Sequence, residues 1–137
     1  MPNLYPPSGI PGIPKATAYA MHIDVQPEYL IERSNPEEDV FVFAYHVRIT
    51  NIGQIAAQII SRYWVIKNAV GIIEEVNGLG IVGRQPFLKP GQGFEYTSAC
   101  PLNTSSGSMR GSFFCVAEDG ERFDVAVLPF ELFVPKA

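Results

Sequence analysis

From Thr17 onward, apolar and polar residues alternate in short runs that turn-forming residues separate. Tyr19, Met21, Ile23 and Val25 alternate with Ala20, His22, Asp24 and Gln26 up to Pro27, which is the period-two signature of a strand with one buried face. A polar, turn-rich stretch from Glu28 to Asp39 follows. The strongest strand signal is Val40 to Thr50, where Phe41, Phe43, Tyr45, Val47 and Ile49 share one face and must point into a core. Asn51–Ile52–Gly53 closes it. The run from Ala57 to Lys67 is apolar on both faces, as a central strand covered on two sides would be. Asn68–Ala69–Val70–Gly71 reads as a hairpin into Ile72 to Val76, and a glycine-rich loop then spans Asn77 to Pro90. Further strands are predicted at Phe94–Ser98, Ser108–Glu118 and Arg122–Val127. Asp119–Gly120 forms the turn between the last two, and Pro129 separates off a short tail.

Nowhere do apolar residues recur at i, i+3, i+4 and i+7 for three turns, so helix is nearly absent. About seven short strands without helical crossovers predict an all-β domain, an antiparallel two-sheet β-sandwich of the immunoglobulin or fibronectin type III kind. A closed barrel is the alternative. Residues 1–16 carry five prolines and read as an extended or mobile arm, leaving residues 17–137 as the sandwich domain.

The 137 residues suit one domain, and 47% hydrophobic content supplies its core. A formal charge of −4, with ten scattered basic residues, excludes the phosphate-neutralising stripe that duplex nucleic acid requires. No apolar run is long enough for a membrane helix, and the proline-rich start is unlike a signal peptide. Cys100 and Cys115 form no CxxC pair and read as buried thiols, which fits a cytoplasmic setting.

Three blocks in this chain resemble the ApaG family. They are Val42–Tyr45 leading to Ile49–Gly53, then Ser61–Ile66, then Glu75–Gly91, the last continuing into Phe94–Ser98 and Gly107–Gly111. The closing Phe123–Val125 and Pro129–Leu132 match as well, so the resemblance spans about residues 19 to 133. Tyr63 stands where the family often has His, and Phe113 where it often has Tyr. The resemblance implies a fibronectin type III-like sandwich, an association in bacteria with cobalt resistance and magnesium transport, and in eukaryotes a protein-interaction module. It also implies a possible nucleotide or pyrophosphate site in the glycine block.

Gly78, Gly80 and Gly83 spell the dinucleotide fingerprint GxGxxG, but the mechanism behind it needs a helix immediately after the glycines. Arg84–Gln85–Pro86 precludes one. The glycines are expected to serve turns, bulges or a close backbone approach. The alternative is an anion-binding nest of backbone amides with Arg84 alongside and Arg62 or Arg110 across the fold, although Arg84 falls at a variable position of the family pattern. Ile81, Val82, Phe87 and Leu88 are apolar in a loop; they either plug the core or form a recognition patch.

His22 and His46 lack a second ligand at metal spacing, and no metal or other cofactor is expected. Glu74 and Glu75 point to opposite faces of a strand and cannot work as an acid–base pair. No GxSxG motif and no Cys–His pairing is present. The sequence therefore favours a non-catalytic binding or adaptor domain for a protein partner, with dimerisation compatible. A phosphate-ligand sensor acting through residues 78–84 is the alternative.

Overall fold

The computed structural model describes residues 15–136. The predicted arm lies outside the described residues as far as residue 14. The chain enters the domain through a single helical turn, α1 (Lys15–Ala18), which sets Ala18 and then Tyr19 into the core.

Eight strands follow among the described residues: β1 (Met21–Tyr29), β2 (Phe41–Asn51), β3 (Ala57–Asn68), β4 (Ile73–Leu79), β5 (Phe87–Leu88), β6 (Gly93–Leu102), β7 (Ser106–Ala117) and β8 (Arg122–Phe133). They form two antiparallel sheets. One has the order β1-β2-β6; the other has the order β4-β3-β7-β8, with β5 also paired to β3. The all-β two-sheet sandwich expected from the alternation is the architecture of the molecule.

The alternation explains the layers. Phe43, Tyr45, Val47 and Ile49 point from β2 toward Trp64, Met109, Phe113 and Leu132 of the facing sheet, and all are buried. Trp64 is the hub, in edge-on contact with Tyr45, Phe113 and Phe130 at centroid separations of 5.5, 5.9 and 6.1 Å. Val65, on the other face of β3, is buried too, as the doubly apolar run requires.

Several strand ends differ from the pattern-based expectation. β1 continues past Pro27 to Tyr29, and β8 passes through Pro129 to Phe133. Both are edge strands, where a missing amide donor costs nothing if it faces solvent. β8 also breaks register there, since Met109 faces Phe130 but Gly111 faces Val127. β4 extends through Asn77 and Gly78 to Leu79, inside the segment expected to be loop, and β6 runs on to Leu102. The turns are as read: Gly71 and Gly120 take φ of 91° and 89° at the two hairpin ends.

Candidate binding site

The segment between β4 and β6 is built around Arg62. On β3, Arg62 lies directly opposite Gly78 of β4. Its guanidinium occupies the space a side chain at Gly78 would fill, 2.5–2.6 Å from an added Cβ. From there it donates to the carbonyls of Leu79 (3.1 Å) and Gly80 (3.0 Å). Gly80 then turns the chain at φ 66°, donating its amide to the Ile60 carbonyl at 2.7 Å. A Cβ on Gly80 would lie 2.5 Å from the Arg84 carbonyl oxygen, so both its conformation and its space demand glycine.

Beyond Gly80 the chain makes a two-residue hairpin. The Ile81 amide donates to the Arg84 carbonyl (2.7 Å), and the Arg84 amide donates back to the Ile81 carbonyl (3.0 Å). Val82 and Gly83 form its tip at φ 46° and 79°. Gly83 adopts this left-handed geometry freely. Val82, being β-branched, is strained there by roughly 1–3 kcal/mol.

The returning chain is fastened along the first half of β3. Gln58 Nε2 donates to the Gln85 carbonyl and Gln85 Nε2 to the Ile60 carbonyl, both at 3.0 Å. Phe87 and Leu88 pair with Gln58 and Ala57 as β5. The buried Asn51 completes the fastening. Its Nδ2 donates to the carbonyls of Leu88 (2.9 Å) and Ile55 (3.0 Å), and its Oδ1 accepts from the Gly53 amide (2.8 Å). Its backbone bonds Gln92 and Gly91 at 2.9 and 2.8 Å. Sequence reasoning treated Asn51 only as a turn residue. Its signal was parity: it continues the inward face of Ile49 as the only polar member.

This geometry divides the four apolar residues of the expected patch. Ile81 is fully buried and Leu88 is 4% exposed, so of the two readings both take that of the core plug and leave the patch. Val82 and Phe87 are 56% and 48% exposed and form the apolar surface. Next to them lies an open concavity of about 600 Å³ floored by Leu88 and walled by Arg84, Phe87, Gln92 and Phe94. Among the described residues its lining offers a guanidinium, amides and aromatic faces, and no carboxylate, imidazole or thiol for proton transfer.

The residues of the alternative reading, the anion-binding nest, are also not brought together as a group. Gly78 is a strand residue, and the amides of Gly80, Ile81 and Arg84 already donate to carbonyls. Arg62 faces carbonyl oxygens, while Arg84 is exposed at the hairpin. Arg110 is on the outer face of the sheet opposite Val65, away from the loop. Only the Val82 and Gly83 amides at the tip have no partner among the described residues.

Elsewhere, His46 bonds Thr97 Oγ1 at 2.8 Å and approaches Glu95 at 3.6 Å on the outer face of the smaller sheet. Among the described residues, no three His, Cys, Asp or Glu side chains converge as a metal site. No helix among them is long and apolar enough to cross a membrane. Cys100 and Cys115 are free and buried, and burial is the main cause that pushes their thiols up to about 11 and about 12. Such groups are protonated and unreactive at neutral pH.

Comparison with known proteins places this arrangement in context. Residues 31–117 match the family model described as the ApaG domain. A Protein ApaG of Acidovorax sp. (strain JS42) is 56% identical over 119 residues, covering 87% of this chain and 85% of that protein. A Protein ApaG of Bordetella pertussis is 49% identical over 118 residues, with 86% and 90% covered. A crystal structure of a Bordetella pertussis protein, named there ApaA, superposes with a TM-score of 0.86 at 48% identity, covering 88% of this chain and 98% of that one. A second X-ray structure, a structural-genomics target, gives 0.79 at 37% identity, covering 84% and 87%.

Proposed function

The chain belongs to the ApaG domain family, and from that premise we propose that it is a non-catalytic binding domain which holds a protein partner on the outer surface of residues 82–94. One observation carries the reading: the strained Val82 tip and the exposed Phe87 are presented by a segment fastened rigidly through Arg62, Gln58 and Asn51. An apolar surface that the fold holds out at the cost of backbone strain suits recognition, because little ordering entropy is lost when a partner docks. The domain would act in the cytoplasm. Any association with cobalt resistance or magnesium transport would run through the partner and not through a metal held by this domain.

The test is affinity capture with the wild-type chain and with Phe87→Ser and Val82→Asn variants that melt no lower than wild type. Loss of the recovered partner with Phe87→Ser is expected. Equal recovery by all three baits would remove this surface from consideration.

A second reading rests on the two unpartnered tip amides beside the exposed Arg84, which together could receive a phosphate group. A thermal-shift panel of ATP, diadenosine tetraphosphate and pyrophosphate, with and without Mg²⁺, tests it. A ligand at about 100 times its Kd stabilises by ~2.7 kcal/mol, which raises Tm by several degrees. A flat panel at millimolar ligand eliminates the reading.

A further inference from the structure

Among the described residues the sandwich has four long edge strands, and three of them carry a proline: Pro27 in β1, Pro101 in β6 and Pro129 in β8. Proline withholds a ladder donor and so discourages a further strand from adding. β4 has none. It also presents two exposed aliphatic side chains near its ends, Ile73 (54% exposed) and Leu79 (79% exposed). An open edge of this kind is a template for strand addition.

Register then selects the added strand. The Gly80 amide donates to Ile60, and the Ile72 carbonyl accepts from Asn68. Even-numbered residues of β4 therefore turn their backbone groups toward β3, and Ile73, Glu75, Asn77 and Leu79 turn theirs outward. If a second copy of β4 pairs antiparallel, odd residues must face odd residues, so a residue of β4 must lie on the two-fold axis. An axis at Glu74 or Glu75 puts a carboxylate against its own copy. An axis at Asn77 shortens the pairing and leaves Ile73 without an apolar partner. An axis at Val76 uses all seven residues. It sets Ile73 against Leu79, Glu75 against Asn77 and Glu74 against Gly78.

The last pairing is the decisive one. The Arg62 guanidinium fills the empty side-chain position of Gly78, and its charge meets only carbonyl oxygens. Glu74 is exposed and, among the described residues, has no ion-pair partner. In the Val76 register, Glu74 of each copy stands beside Arg62 of the other, at the close spacing of a non-hydrogen-bonded pair. We infer that this chain forms a two-fold dimer through β4, centred on Val76 and locked by two reciprocal Glu74–Arg62 ion pairs. The five-stranded sheets of the two copies join into one continuous sheet.

The experiment is sedimentation velocity of the full chain over a concentration series, followed by register-specific cross-linking. Wild type is expected to dimerise, and Glu74→Lys, which sets a cation against Arg62, to raise the dimer Kd by at least about tenfold while keeping the wild-type Tm at concentrations where both chains are monomeric. Val76→Cys is expected to give a disulfide-linked dimer on mild oxidation, because its two copies meet on the axis. Ile73→Cys is not, because residue 73 faces Leu79. The native thiols are buried and do not compete. A wild-type chain that stays monomeric to about 100 µM overturns the inference. So does a dimer that Glu74→Lys leaves intact, or one that Ile73→Cys links and Val76→Cys does not.

Discussion

The two strands that end the five-stranded sheet do so by different means. β8 ends it with twelve residues, a proline and a break in register opposite Gly111 of β7, whose other side packs closely on the Tyr63 backbone of β3. β4 ends it with seven residues and no proline, and at Gly78 a movable side chain, not backbone, takes the vacant space. A glycine stands one strand inside β8 and another within β4. The first, Gly111, is a requirement of chain packing between β7 and β3, and the second, Gly78, makes room for a charge.

The largest expected effect tests the backbone side of this contrast. A Cβ on Gly111 would lie 1.9 Å from the Tyr63 carbonyl oxygen, and no side chain can move to relieve that. Gly111→Ala should cost at least about 3 kcal/mol and abolish a cooperative thermal transition. Gly78→Ala meets only the end of Arg62, which can swing aside. The loss is then its bonds to the Leu79 and Gly80 carbonyls, about 1–3 kcal/mol, seen in chemical denaturation as a lower midpoint with unchanged slope. If the two variants are equally destabilised, the contrast fails.

A smaller effect, of opposite sign, belongs to the segment that β4 feeds. Val82→Asn places a residue that tolerates the left-handed region where valine is strained. It should raise stability by about 1 kcal/mol, read as a higher Tm.

The smallest effect at neutral pH concerns the thiols beneath the two edges. Cys100 lies near Glu74 of β4, whereas Cys115 faces Phe123 of β8. Both folded-state values, about 11 and about 12, lie above the unfolded value near 8.5. The stability they confer is therefore complete below about pH 8.5 and is lost as pH rises toward 11 and 12. Denaturation at pH 7 and pH 10 should show the decline. Thiol labelling at pH 8 should modify Cys100 before Cys115, since the β4 side has the looser closure; the reverse order would contradict that.

Much of this was legible in the sequence. The alternation in Val40–Thr50 and the double-faced run at Ala57–Lys67 give β2 and β3 and hence the sandwich, because period and burial are the same physical fact there. The course of β8 through Pro129 was not legible, because tolerance of proline depends on being at an edge, which only the assembled sheet defines. The candidate site was half legible. Its glycines announce turns, and the absence of a helix follows from Pro86. Ile81 and Leu88 as core residues could not be separated from Val82 and Phe87, since a loop has no period to assign faces. Nor could the partnership of Arg62 with Gly78, which arises from pairing register and not from spacing along the chain.

Asn51 holds chain positions 53, 55, 88, 91 and 92 through one residue. Bonds that share a single anchor are released together, so this stretch cannot fray one amide at a time. It should detach in one cooperative opening, with matched hydrogen-exchange rates across it. The frequency of that opening would set the longest residence time of anything gripped by Phe87.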